Sequence, residues 1–461
     1  MALALASAAV YGLLGLSFDA RGGRGDVALF LLLYAFLFAL YLAAYRLGRE
    51  AALGQRGSTL ALVLGAAVVF RLLLLPAGLP RPVDPADARA DLLGEGVVFD
   101  RFVLYDQDLW RYFWDGAVAT GGHDPYRLAP SGWEEAAAEG DPAAEALLAD
   151  PVREEILARV AFPSYRTVYP PLAQALFALV AWLAPGSVLA WKLLLLAFDL
   201  GTCWLLLRLL ERLGRPRIAV LLYAWNPLVV KEIAGSAHVD AVAVFLLTAA
   251  VYLAVVGRER LSLAALAGGA LVKLGPAVAA GALLPRCRPR SWWVLAAVGL
   301  GAYLPFAGSL GPMLEGLGAF AREWQFNAGV AHAVGVVADA LRPGAGAAAA
   351  RVVWLGATLG VVLWGARRRD RLGVAAHTFA VVAVFLLFAP TVMPWYLLWP
   401  LPLAVAVGSV AWPLATGLAG LSYWIYAEGR ELGWLLALEH LPVLWLLGRE
   451  LRRLGAGPDL Q

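Results

Sequence analysis

The sequence predicts an all-α, polytopic integral membrane protein with one large polar loop. Hydrophobic residues make up 61% of the 461 positions, and charged residues make up only 15%. A soluble protein of this size cannot bury that much apolar surface, because a folded surface needs polar cover. Apolar runs of about 17–25 residues recur along the chain, and we expect about 12–14 transmembrane helices from them.

The candidate membrane spans are the longest apolar runs. They lie near 1–18, 26–45, 58–78, 188–207, 218–234, 237–256, 291–308, 347–366, 372–389, 394–410, 411–427 and 432–448. The stretch 261–284 is interrupted at Lys273 and by a Gly-Pro pair that follows it, which predicts two short helices meeting at a tip. The sequence WNP at 225–227 is expected to break the span in which it lies.

Arginine-rich loops predict the orientation, because basic residues concentrate in short cytoplasmic loops. Arginines cluster within 46–56, 208–217, 258–260, 286–290, 367–371 and 449–453. If these loops are cytoplasmic, the segments 80–187 and 309–346 lie outside. The apolar stretch 172–184 is too short to cross, so we expect an interfacial helix on the outer leaflet.

The chain is therefore expected to have three parts. Residues 1–79 form N-terminal transmembrane helices, and 80–187 form an extracytoplasmic loop that includes an acidic pair, a run of one or two solvated helices over 131–160, and interfacial helices. Residues 188–461 form a transmembrane bundle with the outer loop 309–346. The protein is expected to be a multi-pass protein of the cell membrane, with its polar site on the extracytoplasmic side.

Composition argues against several other classes of protein. The net charge of +3 is too small and too scattered for a nucleic-acid-binding protein. The two cysteines, Cys203 and Cys287, fit neither a disulfide framework nor a zinc site. The five histidines lack the spacing of a metal-binding helix motif.

An acidic and aromatic segment opens the large loop. Asp106 and Asp108 stand at i and i+2, and on a helix Asp108, Arg111 and Asp115 share one face. One interpretation is a helix cap with a surface ion pair to Arg111. The aromatic residues around the pair favour a buried wall instead, in which a carboxylate acts as a general base.

Basic and aromatic residues elsewhere are candidates for substrate or phosphate binding. Lys273 at a helix tip needs an anionic partner, and a phosphate is one such group. The further candidates are Arg111, Arg166, Tyr169, His238, Asp240, Trp395 and Tyr396. For two pairs a structural interpretation stays open: His238 and Asp240 as a helix N-cap, and Trp395 and Tyr396 as part of an aromatic belt.

Taken in order, these segments resemble the C-superfamily (GT-C) of multi-spanning glycosyltransferases that use lipid-phosphate-linked sugars. They are most similar to the GPI mannosyltransferase catalytic subunit and to bacterial polyprenyl-phosphate-mannose-dependent mannosyltransferases. The resemblance runs from about residue 100 to 400 and depends on Asp106, Asp108, Asp115, Tyr126, Tyr169, Asp199, Asn226, His238, Asp240, Lys273, Asn327, Trp395 and Tyr396 with their neighbours. The chain departs from the GPI enzyme in its two extra N-terminal spans and in His238, where that enzyme has a polar amide.

The resemblance implies an enzyme that moves a hexose, expected to be mannose, from a polyprenyl-phosphate donor to a lipid or glycan acceptor. The reaction would be a single inverting displacement, with Asp108 as the preferred base and Asp106 as the second choice. Lys273, Arg166 and His238 would hold the leaving phosphate. No cofactor is expected; Asp106 and Asp108 have the spacing of a metal-binding pair, but a donor with one phosphate needs less charge neutralisation.

Two rival functions stay open from the sequence. A transporter or lipid flippase would need charged or broken helices through the membrane mid-plane and access from both sides. A non-catalytic protein that binds polyprenyl lipids would keep the phosphate-binding cations but would not need the acidic pair. The clustering of polar residues toward one face favours the enzyme.

Overall fold

The computed structural model is all-α, as the sequence predicts. It describes residues 1–19, 26–54, 57–77, 79, 81–82, 97–98, 104 and 108–456. The strands within this part are a two-residue antiparallel pair, β1 (Arg81–Pro82) and β2 (Val97–Val98). Every other regular element in it is a helix.

The helices before residue 260 include the N-terminal segment and the predicted outer loop 80–187. They are α1 Ala2–Asp19, α2 Val27–Gly54, α3 Gly57–Leu74, α4 Asp108–Thr120, α5 Pro130–Ala138, α6 Pro142–Leu148, α7 Pro151–Ala158, α8 Pro171–Leu183, α9 Val188–Arg212, α10 Leu221–Ala224, α11 Pro227–Val229, α12 Asp240–Val255 and α13 Glu259–Val272. A 3-10 helix at Arg217–Val220 precedes α10, and a π-helix at Val230–Gly235 follows α11.

The remaining helices form the C-terminal part of the bundle. They are α14 Ala280–Leu283, α15 Trp293–Tyr303, α16 Leu310–Glu323, α17 Gly329–Leu341, α18 Gly346–Ala366, α19 Val374–Phe388, α20 Leu401–Val407, α21 Ala411–Leu418, α22 Ile425–Glu428 and α23 Gly433–Ala456. Short 3-10 helices connect them at Gly275–Ala279, Leu284–Arg286, Pro289–Ser291, Leu304–Ser309, Pro394–Leu398 and Ala419–Trp424.

Several of these helices are long and apolar enough to cross a membrane. Within the described residues, four pass by length and composition: Val27–Glu50, Val188–Arg212, Pro289–Glu323 and Gly346–Ala366. A fifth span is reached if the bent pair Arg217–Ala224 and Pro227–Gly235 counts as one. Shorter apolar helices of 10–17 residues accompany them, among them α1, α8, α12 and α19. The number of crossings and their orientation stay predictions.

The two predicted helix breaks are present. The elements on either side of Trp225 and Asn226 are bent by 49°, and Asn226 caps α11 by accepting a hydrogen bond from the Leu228 N–H at 3.0 Å. Helix α13 ends at Val272, and Lys273 has extended backbone before the next 3-10 turn. Both breaks follow from proline, which cannot continue the hydrogen-bond ladder of the preceding helix.

The outer loop contains three short helices over 130–158, where one or two were expected. Pro142 and Pro151 each occupy the first helical position, where a missing N–H costs nothing. Asp141 and Asp150 precede them as N-caps, and each carboxylate accepts a backbone N–H bond at 2.8–2.9 Å. The repeated Asp-Pro pair therefore restarts the helix twice.

Helix α8 has the two-faced character expected of the apolar stretch 172–184. Ala173, Gln174 and Phe177 are buried on one side, which packs against α4. Trp182 and Leu183 are more than half exposed on the other. Such an apolar outer face suits a helix that lies against lipid.

Buried charges also lie deeper in the bundle than the sequence suggested. Arg71 forms an ion pair with Asp199, and both side chains are at most 1% exposed. The Lys231–Glu232 pair is 0% exposed, with Nζ and Oε2 3.1 Å apart. The expectation that polar groups gather only toward one face is therefore incomplete, although each of these charges has an opposite charge beside it, as an apolar environment requires.

Candidate functional site

Asp108 occupies the first turn of α4, which is otherwise buried over most of its length. Its Oδ2 accepts a hydrogen bond from the Tyr169 hydroxyl at 2.8 Å. The amino end of a helix favours a carboxylate, because unpaired N–H groups and the helix dipole point toward it. Asp106 lies outside the described residues, so the predicted pair is located only through Asp108.

Tyr169, which donates to Asp108, is held by a hydrogen bond and by two ring contacts. Its carbonyl accepts the Tyr126 hydroxyl at 2.7 Å, and its ring makes edge contacts with Tyr112 and Phe177 at 5.1 and 5.4 Å between centroids. Burial, followed by the nearby Asp108 carboxylate, raises the pKa of Tyr169 well above its usual value. The phenol therefore stays protonated and acts as a donor to Asp108.

Lys273 lies in an aromatic and acidic cage beside Tyr169. Its Nζ is 3.3 Å from Asp240 Oδ2 and lies 4.9 and 5.3 Å from the ring centroids of Tyr169 and Tyr396. Trp399 donates its indole N–H to Asp240 Oδ1 at 2.7 Å. A cation over aromatic faces and next to a carboxylate is a stable arrangement in a poorly solvated place.

The contacts of Asp240 distinguish between its two interpretations, a helix N-cap and a member of the site. Helix α12 begins at Asp240, but no side-chain cap is present there, and the carboxylate binds Trp399 and Lys273 instead. The N-cap interpretation of Asp240 is wrong. Packing of α12 against α13, the most extensive helix pair among the described residues, brings Asp240 to Lys273.

His238 joins the same region through Trp395. The two rings are stacked with centroids 3.9 Å apart, and Trp395 is only 8% exposed. Trp395 in turn contacts Tyr396 edge to face at 6.1 Å. Trp395 is therefore packed inside the protein. A residue of an aromatic belt would face the lipid instead.

Arg111 and Arg166 have their described contacts elsewhere. Arg111 donates to Asp115 Oδ1 and to the Tyr165 carbonyl, both at 2.8 Å. Arg166 forms an ion pair with Glu315 on the protein surface and donates to the Arg127 carbonyl at 3.3 Å. These contacts hold the outer loop in place, and substrate binding by either arginine stays a prediction.

Two residues of this region, Trp399 and Glu232, were not predicted from the sequence as members of the site. Trp399 was not a candidate, although it lies one turn after Tyr396 and stacks on it at 4.6 Å. Glu232, whose Oε2 is 3.1 Å from His238 Nδ1, was not a candidate either. A buried carboxylate in an apolar span was the available signal for Glu232.

The arrangement combines a carboxylate that can accept a proton with a caged cation. Tyr169 contacts both groups: its hydroxyl donates to Asp108 Oδ2 at 2.8 Å, and its ring centroid is 4.9 Å from Lys273 Nζ. Within the described residues, no group of three His, Cys, Asp or Glu side chains is placed to hold a metal ion. Such a pairing suits a reaction in which a hydroxyl loses a proton while a phosphate departs.

Comparison with known proteins agrees with the resemblance noted from the motifs. Residues 102–286 match a family described as Alpha-(1->6)-mannopyranosyltransferase, N-terminal domain. The chain is 23% identical over 371 residues to Alpha-(1->6)-mannopyranosyltransferase A of Mycobacterium tuberculosis, and the alignment covers 70% of this chain and 65% of the length of that curated relative. No solved structure matches the chain at a comparable significance.

The two matches confirm the predicted resemblance to a mannosyltransferase family. The family match contains Asp108, Tyr169, His238, Asp240 and Lys273, which come from the outer loop and from the bundle. The aromatic wall at 395–399 lies beyond it.

Proposed function

We propose that this relative of the alpha-(1->6)-mannopyranosyltransferases is a membrane mannosyltransferase with a polyprenyl-phosphate-mannose donor. It transfers the mannose to a hydroxyl of a lipid- or glycan-linked acceptor on the extracytoplasmic face. The observation that carries the proposal is the hydrogen-bonded and electrostatic connection of Asp108, Tyr169, Lys273 and Asp240.

The proposed reaction is one inverting displacement. The acceptor oxygen attacks the anomeric carbon and loses its proton to Asp108, while the bond from that carbon to the phosphate oxygen breaks. General base catalysis by a positioned carboxylate contributes about 10²–10⁴-fold. Asp106 is the second choice of base.

Lys273 is the proposed partner of the leaving phosphate. Its side chain is 12% exposed, whereas its partner Asp240 is 0% exposed, so Lys273 is the member of the pair that we propose a ligand contacts. An ammonium group has three N–H donors, and the contact with Asp240 Oδ2 at 3.3 Å is an ion pair. Negative charge grows on the phosphate as the bond breaks, and a fixed cation stabilises that state most.

The proposal is tested by incubating the purified chain with labelled polyprenyl-phosphate-mannose and a membrane lipid extract. Label should move from the donor to an acceptor, and Asp108→Asn should abolish most of the transfer while donor binding stays intact. Normal transfer by the variant would remove Asp108 from the chemistry. Movement of intact donor across a vesicle membrane without transfer would favour a flippase instead.

A further inference from the structure

Glu232 is a fully buried carboxylate that has no role in the reaction proposed above. It lies in the π-helix Val230–Gly235 and is 0% exposed. Lys231 Nζ contacts both of its carboxylate oxygens at 3.1 Å, and the Tyr423 hydroxyl donates to Oε1. Its Oε2 is 3.1 Å from Nδ1 of His238. Single-turn π-helices are rare and concentrate at functional sites.

The backbone after the π-helix is held in an unusual shape that carries His238 into the candidate site. Ala237 has a φ of +62°, a region that a β-carbon disfavours. Two contacts keep it there: Trp191 donates its indole N–H to the Ala237 carbonyl at 2.9 Å, and the Ser236 hydroxyl donates to the Leu104 carbonyl at 2.9 Å. Strain that neighbours over-determine in this way is a common property of functional sites.

Two oxygen atoms of Glu232 lie within hydrogen-bond distance of one nitrogen of the His238 ring. Nδ1 is 3.1 Å from the carboxylate Oε2 and 3.2 Å from the backbone carbonyl of the same residue. Two acceptors require that Nδ1 carries a proton, because a bare nitrogen would face their lone pairs. Any hydrogen bond between His238 and a substrate must therefore be made by Nε2.

Trp395 supplies an independent sign of a ligand beside this ring. Its indole ring stacks on His238, and its Nε1–H is buried without a hydrogen-bond partner among the described residues. An unsatisfied buried donor costs about 1–3 kcal/mol. A ligand oxygen at this position would remove that cost.

We infer that Glu232 is a positioning residue that fixes the His238 ring so that Nε2, together with the Trp395 indole N–H, meets a phosphate oxygen of the sugar donor. The inference rests on the proposed function and deepens it, because it adds a second contact to the phosphate besides Lys273. With Nε2 protonated, His238 donates a hydrogen bond to the leaving phosphate. No bond to His238 forms or breaks.

The first test reads the ring directly and needs no activity. Protein labelled with ¹⁵N-histidine gives ring-nitrogen resonances, and the His238→Asn variant identifies the signal of His238. The expected result is a ring that is protonated at both Nδ1 and Nε2. A neutral ring with a proton on only one nitrogen would overturn the inference, whatever the reaction proves to be.

The second test asks whether Glu232 acts through His238. Glu232→Gln should lower kcat by about 10–100-fold, the effect of losing a hydrogen bond between charged groups. In the His238→Asn background the same change should lower kcat by less than about twofold, because coupled residues are not additive. Equal losses in both backgrounds would make Glu232 a structural residue only.

A control variant separates positioning from general damage to the bundle. Thr416→Val removes two buried hydrogen bonds that do not involve His238: the 2.8 Å donation from Asn226 Nδ2 and the 2.7 Å donation of the Thr416 hydroxyl to the Pro413 carbonyl. Its kcat should stay near that of the unchanged protein, and a loss as large as that of Glu232→Gln would overturn the positioning role. If the unchanged protein transfers no mannose, the proposed function fails, and the ring spectra still decide the geometry.

Discussion

Two carboxylates on the same face of α4, Asp108 and Asp115, have different surroundings. Asp108 and Asp115 are two turns apart and point to the same side of the helix. Asp115 is 1% exposed and is bound by Arg111 Nε at 2.8 Å and Gln174 Nε2 at 2.9 Å. Asp108 is only partly buried and accepts a hydrogen bond from Tyr169 beside the Lys273 cage.

Sequence spacing places Asp108 and Asp115 on the same helix face, but the contacts of each side chain determine its role. Asp115 joins α4 to the chain at 165–174, because Arg111 also donates to the Tyr165 carbonyl at 2.8 Å. A carboxylate held in this way contributes to the architecture of the loop. Asp108 is bound to Tyr169, whose ring contacts Lys273, and it is the carboxylate that we propose for the chemistry.

Apart from the change at Asp108 itself, the largest effect that sharpens this comparison is expected at Lys273. Lys273→Met keeps most of the side-chain volume but removes the charge that would meet the phosphate. A charged hydrogen bond is worth on the order of 2–3 kcal/mol, so donor use should fall roughly 30–150-fold. Initial rates at varied donor concentration give the value. Lys273→Arg, which keeps the charge, should retain more activity, and equal losses in both variants would mean that shape rather than charge matters.

A smaller effect is expected at Tyr169. Tyr169→Phe removes the 2.8 Å hydrogen bond to Asp108 and leaves the buried ring in place. Without this donor the Asp108 carboxylate is easier to protonate, so the acid limb of the pH–rate profile should move to higher pH. At neutral pH we expect a loss of about threefold to tenfold. A profile that does not move would show that the phenol does not influence the base.

The smallest effect is expected on the outer helices. Glu134 and Glu135 are exposed on α5. Glu134→Gln and Glu135→Gln should each change activity by less than about twofold, because exposed carboxylates contribute little. A large loss at either position, measured in the same transfer assay, would place the reaction at these outer helices and away from Asp108.

Local chemistry made parts of the fold predictable. The apolar runs gave the helical bundle, and the proline-containing sequences gave the breaks near 225–227 and 273. The three outer helices were undercounted, because Asp141-Pro142 and Asp150-Pro151 act both as breakers and as start signals. Recognising the second role requires weighing the cap together with the proline.

Long-range partners in the candidate site were not predictable from spacing. Lys273 was expected to need an anion, but its partner Asp240 lies on another helix and meets it only through the packing of α12 on α13. Arg111 shared a helix face with both Asp108 and Asp115, and its described ion pair is with Asp115. Only the tertiary position of the segment 165–174 separates these two alternatives.

The comparison between the two carboxylates is tested most directly by Asp108→Asn and Asp115→Asn in the same assay. Turnover per folded molecule and thermal unfolding are measured for both purified variants. Asp108→Asn should lose about 10²–10⁴-fold in turnover with little change in unfolding temperature.

Asp115→Asn should show the opposite pattern. Removing one partner of a buried ion pair costs about 3–5 kcal/mol, so the unfolding temperature should fall while the folded fraction keeps most of its turnover. The account is contradicted if Asp108→Asn turns over normally, or if Asp115→Asn loses turnover as severely without losing stability.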